Sequence, residues 1–99
     1  MNHYPCELVR AIDGDTLKLR VDLGFRMSFE DSFRLIDINT AEMNTEEGEF
    51  AKLWVESAIE SLPGEMTVKS KKHGKYRWLG EIFFGEVSLN ELIKLEGLG

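Results

Sequence analysis

Between Thr16 and Leu23 apolar and polar residues alternate without a break. Leu17, Leu19, Val21 and Leu23 fall on one side, and Lys18, Arg20 and Asp22 on the other. A period of two is that of a strand buried on one face. Gly24 interrupts the pattern, and a second long strand is predicted from Met27 to Ile38, with the hairpin turn at residues 24–26. In that strand Phe33 and Leu35 share one face, and Arg34, Ile36 and Ile38 the other. A short apolar-rich strand, Cys6 to Ile12, comes before both, and Asp13-Gly14-Asp15 is the turn that leads out of it. The period then changes. Phe50, Ala51, Trp54, Val55, Ala58, Ile59 and Leu62 recur at helical spacing, with Asn44 or Thr45 available as the cap and Pro63-Gly64 as the stop.

Two more strands are predicted at Met66 to Ser70 and Trp78 to Phe84, joined by a basic loop. Ser88-Leu89-Asn90-Glu91 has the form of a capping box and opens a short helix that stops at Gly97. The order is three strands, a helix, two strands and a helix. It predicts a mainly β chain with helices (α+β) built as a five-stranded Greek-key barrel, the OB-fold, in one domain spanning residues 1–99.

Composition narrows the chemistry. A single cysteine, Cys6, rules out a disulfide framework and a cysteine-built zinc site. With only His3 and His73 besides, a bound metal is expected to be held by oxygen. No run of about 18 apolar residues is present to predict a membrane span. The first residues also lack the basic and apolar blocks of a secretory signal, so an intracellular, cytoplasmic protein is expected. The net charge of −6 opposes a polyanionic partner, but it is unevenly spread. Residues 65–78 carry Lys69, Lys71, Lys72, Lys75 and Arg77 against Glu65 alone. Residues 42–60 carry six glutamates against Lys52. A local basic patch of this kind can still bind phosphate, and it reads equally as a solvated basic strand edge.

The candidate chemistry lies where the third strand runs into a polar turn. Arg34 is followed within a few residues by Asn39, Thr40 and Glu42, so a guanidinium and an oxygen-rich turn share one element. That set suits a phosphate together with a hard cation. Asp13-Gly14-Asp15-Thr16 is a second cluster of the same type. It is not a calcium-hand loop, because the sixth and twelfth positions from Asp13 are Lys18 and Gly24, and from Asp15 they are Arg20 and Arg26. Gly80 and Gly85 have phosphate-loop spacing, but Glu86 follows where lysine is needed. Taken singly, Arg34 and Glu42 also read as a surface ion pair, and Asp13 and Asp15 as plain turn residues.

Four pieces in register resemble the staphylococcal nuclease (thermonuclease) family. They are Ala11-Ile12-Asp13-Gly14-Asp15-Thr16; Phe33-Arg34-Leu35 with Asn39-Thr40-Ala41-Glu42; Lys75-Tyr76-Arg77; and Asn90-Glu91 with Gly97-Leu98. The resemblance runs from about Glu7 to Leu98 and implies an OB-fold and a calcium-dependent phosphodiesterase that cuts DNA or RNA. By position it implies that Asp15, the Asn39 side chain and the Thr40 carbonyl hold Ca2+. Arg34 and Arg77 would grip the phosphate. Glu42 would position or deprotonate the attacking water, and Lys75 and Tyr76 would touch the nucleic acid. Asp13 would orient the metal shell from behind.

The chain departs from the family pattern in several places. Asn39 stands where the family has Asp, Ala41 where it has Pro, and the Gly expected between Tyr76 and Arg77 is missing. The chain also stops at Gly99 without the family's further helix. That predicts exposed apolar surface near the second helix and a possible homodimer. Two other readings of the sequence are a catalytically silent OB-fold module that binds nucleic acid or protein, and a purely structural interaction domain.

Overall fold

The computed structural model describes residues 3–73 and 78–99. Its elements are β1 (His3–Asp13), β2 (Thr16–Gly24), β3 (Met27–Leu35), α1 (Glu46–Ser61), β4 (Met66–His73), β5 (Trp78–Phe84), a two-residue β6 (Val87–Ser88) and α2 (Leu89–Leu95). Five strands close on themselves in the order β1–β2–β3–β5–β4 and back to β1. Every seam is antiparallel except β3–β5, where Phe33, Arg34 and Leu35 lie parallel to Trp78, Leu79 and Gly80. This is a closed mixed barrel of OB-like α+β form. The segment containing α1 carries the chain from β3 across to β4, which pairs with the start of β1.

Closure needs curvature, and β1 supplies it at two bulges. Val9 is inserted between the Leu8–Leu19 and Arg10–Lys18 pairs, and Ile12 between Ala11–Leu17 and Asp13–Thr16. An extra residue on one strand bends it and sharpens its twist. The second bulge sits directly before the Asp13–Asp15 turn. The core consists of the inward positions of the strands, including Leu17, Leu19, Val21, Phe33, Leu35, Val68, Ile82 and Phe84. Ala51 and Val55 join it from α1, and Leu89 and Ile93 from α2.

Four expectations from the pattern are not met. Leu23 is 47% exposed although it continues the β2 alternation. It is a bulged residue: Asp22 pairs with Ser28 and Gly24 with Met27, which leaves Leu23 unmatched. The third strand ends at Leu35 and does not reach Ile38. Asp37 has a left-handed backbone (φ 60°), which ends the alternation and sends Ile38 into the core beside Leu35 while Arg34 stays half-buried. Phe50 keeps helical spacing with the core stripe but is 58% exposed, at the outer edge of α1. β4 runs on to His73, three residues past the predicted Ser70.

Both predicted helix caps form. Thr45 Oγ1 accepts the Gly48 N–H (3.0 Å), and Ser88 Oγ accepts the Glu91 N–H (3.3 Å). No helix among the described residues is long and apolar enough to cross a membrane.

Candidate functional site

The ladder between β2 and β3 pairs Thr16 with Arg34, so the β1–β2 turn and the exit of β3 lie at the same end of the barrel. Leu35 N–H donates to the Asp15 carbonyl (2.8 Å) and Ile36 N–H to the Gly80 carbonyl (2.9 Å). Buried Asn90 holds this exit from α2. Its Nδ2 donates to the Ile36 and Gly80 carbonyls (3.1 and 3.4 Å), and its Oδ1 accepts the Ile82 N–H (3.1 Å). One amide thus bonds three main-chain groups of the strand ends, one of them the Gly80 carbonyl that also accepts from Ile36. The Asn90-Glu91 pair is visible in the sequence as part of a capping box, but nothing there shows which strands Asn90 joins.

The two acidic and polar turns meet on Asp15, which is 7% exposed. Its Oδ1 accepts the Thr16 hydroxyl (3.2 Å). Its Oδ2 accepts the Thr40 N–H (3.2 Å) across 25 residues of chain and lies 3.3 Å from Arg34 Nη2. Asp13 stands behind it, its Oδ1 accepting the Asp15 N–H at 3.1 Å. Gly14 makes the approach possible. A Cβ there would lie 2.8 Å from Thr40 Oγ1 and 2.9 Å from Ala51 Cβ. Space decides this glycine, since Gly14 is not among the residues with positive φ.

Arg34 Nη2 has two further oxygen neighbours, the Ile38 carbonyl at 2.9 Å and Asn39 Oδ1 at 3.3 Å. Its Nε is buried and has no hydrogen-bond partner among the described residues, and neither has the buried Thr40 Oγ1. A cleft of about 520 Å³ opens beside Arg34 and Asn39, walled by Leu35, Ile36 and Leu79, among others.

Glu42 is exposed, two residues beyond Thr40, and its carboxylate has no hydrogen bond or ion pair among the described residues. Its main chain is fixed firmly. The Glu42 carbonyl accepts both the Thr45 N–H (3.1 Å) and the Thr45 hydroxyl (2.6 Å), and the first turn of α1 packs against it through Gly48. The sequence pattern passes over Gly48, although a glycine in the first turn of a helix is itself a cue to close approach.

The two aspartates are driven apart in acidity. Burial raises the Asp15 carboxyl above the usual carboxylate range, the hydrogen bond and charge of Asp13 add to this, and Arg34 opposes it. Burial also resists ionisation of Asp13, but the hydrogen bonds it receives from Asp15 and Thr16 together outweigh that, so its carboxyl lies low. Burial, then Glu65 and Glu7, push the Cys6 thiol up to about 12.

The chain matches no protein-family model and no curated protein sequence.

Of the residues singled out in the sequence, Asp13, Asp15, Arg34, Asn39 and Thr40 are in one hydrogen-bonded cluster, with Glu42 on the same turn. Lys75, Tyr76 and Arg77 lie outside the described residues. Among the described residues, no three His, Cys, Asp or Glu side chains gather closely enough to hold an ion by themselves. The oxygens that do converge, on Arg34 Nη2, are the Asp15 carboxylate, the Asn39 amide and the Ile38 main-chain carbonyl, and Thr40 joins the cluster through its N–H. Asp15 Oδ2 and Asn39 Oδ1 both face the same nitrogen, so they point at a common position. This donor set fits a hard cation bound with low charge compensation, and it lacks the nitrogen and sulfur ligands that soft metals select.

Proposed function

We propose that this protein is a divalent-cation-dependent nuclease of the staphylococcal nuclease type, hydrolysing phosphodiester bonds of DNA or RNA. The observation that carries the reading is the meeting of two turns, distant in sequence, on the Asp15 carboxylate, with the Arg34 guanidinium against it and a cleft alongside. In this reading Asp15, Asn39 and the Thr40 carbonyl hold Ca2+, or another divalent cation in its place. When bound, that ion supplies positive charge against the charge that builds on the phosphate oxygens.

The remaining roles belong to the chain. Arg34 presents its fork to the phosphate, where a guanidinium matches two oxygens at once. Glu42, exposed and held by its main chain, orients a water and takes its proton as the water oxygen attacks phosphorus. The P–O ester bond breaks on the far side, and the departing oxygen gains a proton from solvent. Asp13 positions Asp15 through the Asp15 N–H. Arg77 is proposed as the second phosphate grip, with Lys75 and Tyr76 beside it on the nucleic acid.

The test is single-stranded DNA incubated with the protein and calcium. Glu42→Gln is expected to slow cleavage by about 10²–10⁴, and Arg34→Ala by about 10²–10³. Cleavage undiminished in both variants would refute the assignment. The second reading, a silent OB-fold module, is favoured by the engagement of Arg34 with the protein's own oxygens. Binding without cleavage would select it. Self-association into a homodimer is a separate proposal, supported by Leu95 at the end of α2, which is 82% exposed. Sedimentation at high concentration that finds only monomer would remove it.

A further inference from the structure

We infer that the Arg34 guanidinium is a built-in cation that occupies the divalent-ion position itself and has to leave before an ion binds. The inference rests on the reading that Asp15 and Asn39 hold such an ion. One nitrogen, Arg34 Nη2, is surrounded by three oxygens: Asp15 Oδ2 at 3.3 Å, the Ile38 carbonyl at 2.9 Å and Asn39 Oδ1 at 3.3 Å. Two of these oxygens belong to the side chains assigned to the ion. A guanidinium donor and a metal ion both seek converging oxygens, and two cations cannot share them.

The arrangement has a physical reason. Asp15 is buried, and its ionised carboxylate is costly without a positive partner. The tethered guanidinium compensates that charge while no ion is bound. Asn39 accepts from it without adding charge, so Arg34 is held by one carboxylate and two neutral oxygens, a grip that a dication can displace. Occupancy of this kind lowers apparent affinity in proportion to the fraction of molecules that are open. If Arg34 fills the position nine-tenths of the time, ion binding is about tenfold weaker than its intrinsic value.

The experiment is calcium titration by calorimetry of the wild type, Arg34→Ala and Arg34→Gln, with Asp15→Asn as the site control and circular dichroism to confirm folding. In parallel, the Arg34 side-chain N–H resonances of the wild type are followed by NMR as calcium is added. Arg34→Ala and Arg34→Gln are expected to bind calcium about tenfold more tightly than the wild type, and Asp15→Asn not to bind. Calcium is expected to shift the Arg34 resonances and speed the rotation of its guanidinium. Through-space repulsion alone would tighten the variants and leave the wild-type resonances in place, and that result overturns the inference. Equal or weaker binding in both variants, abolished by Asp15→Asn, overturns it while leaving the calcium site intact. Absence of calcium binding in all proteins overturns the calcium reading, and the inference with it. If Arg34→Ala does not fold, Arg34→Gln, which keeps a donor for the Ile38 carbonyl, carries the comparison.

Discussion

Replacing Gly48 by alanine tests how α1 fixes the turn that carries Glu42. A Cβ at Gly48 would lie 1.8 Å from the Glu42 carbonyl oxygen, 2.4 Å from its carbon and 2.9 Å from the Ala41 carbonyl oxygen. A carbon meets such an oxygen at about 3.3 Å, so the turn and helix must separate by about 1.5 Å. The surrounding bonds do not survive that shift. Thr45 Oγ1 would lose either the Gly48 N–H it caps or the Glu42 carbonyl it donates to, and the Thr45 N–H to Glu42 bond would lengthen. A lost cap costs about 1 kcal/mol, and each hydrogen bond about 0.5–1.5 kcal/mol. Alanine returns about 1 kcal/mol of helix propensity. The net expectation is a loss of about 0.5–1.5 kcal/mol, read by urea denaturation through the fluorescence of Trp54 and Trp78. Cleavage should fall further than stability, by about 10²-fold, because a displacement of about 1 Å in a positioned group has that effect. A variant more stable than wild type by about 1 kcal/mol, the result for an unhindered helical glycine, would refute the packing argument.

Asn39→Asp is expected to tighten calcium about tenfold. The added charge also attracts Arg34, but it attracts a dication twice as strongly at the same distance; calorimetry showing no change would count against the site. Replacing Phe25 and Arg26 by Asn and Gly should stabilise the protein by about 1 kcal/mol. Both residues are left-handed (φ 54° and 63°) in a two-residue hairpin loop between Gly24 and Met27, the geometry that Asn-Gly adopts at least cost. Thermal melting decides, and no gain would show that the turn is unstrained.

The last prediction concerns pH. The folded-state pKa of Asp15 is raised, so above it the native protein carries the penalty of a buried charge that the unfolded chain does not. As pH falls through that value toward the ordinary carboxylate range, wild type should gain stability relative to Asp15→Asn. Parallel denaturation curves for the two proteins across that range would contradict it.

The alternation of Leu17, Leu19 and Val21, the helical stripe containing Ala51 and Val55, and the Thr45 and Ser88 caps were legible because each is set by neighbours a few residues away. Asp15, Arg34, Asn39 and Thr40, singled out in the sequence as candidate chemistry, do lie in one hydrogen-bonded cluster. What failed was local geometry that sequence period does not encode: the bulge at Leu23, and the left-handed Asp37 that turns Ile38 inward.

Tertiary structure alone decided the rest. Strand period says which residues face inward but carries no information on which strands pair, so the β3–β5 seam and the return of β4 to β1 had to come from closure of the barrel. Gly14, Gly48 and Asn90 take their roles from atoms 26 or more, six or seven, and up to 54 residues away, respectively. The sequence offered Arg34 as a phosphate grip and Asp15 as a metal ligand. Only packing revealed that the two hold each other, because a buried carboxylate needs the nearest cation that the fold can bring to it.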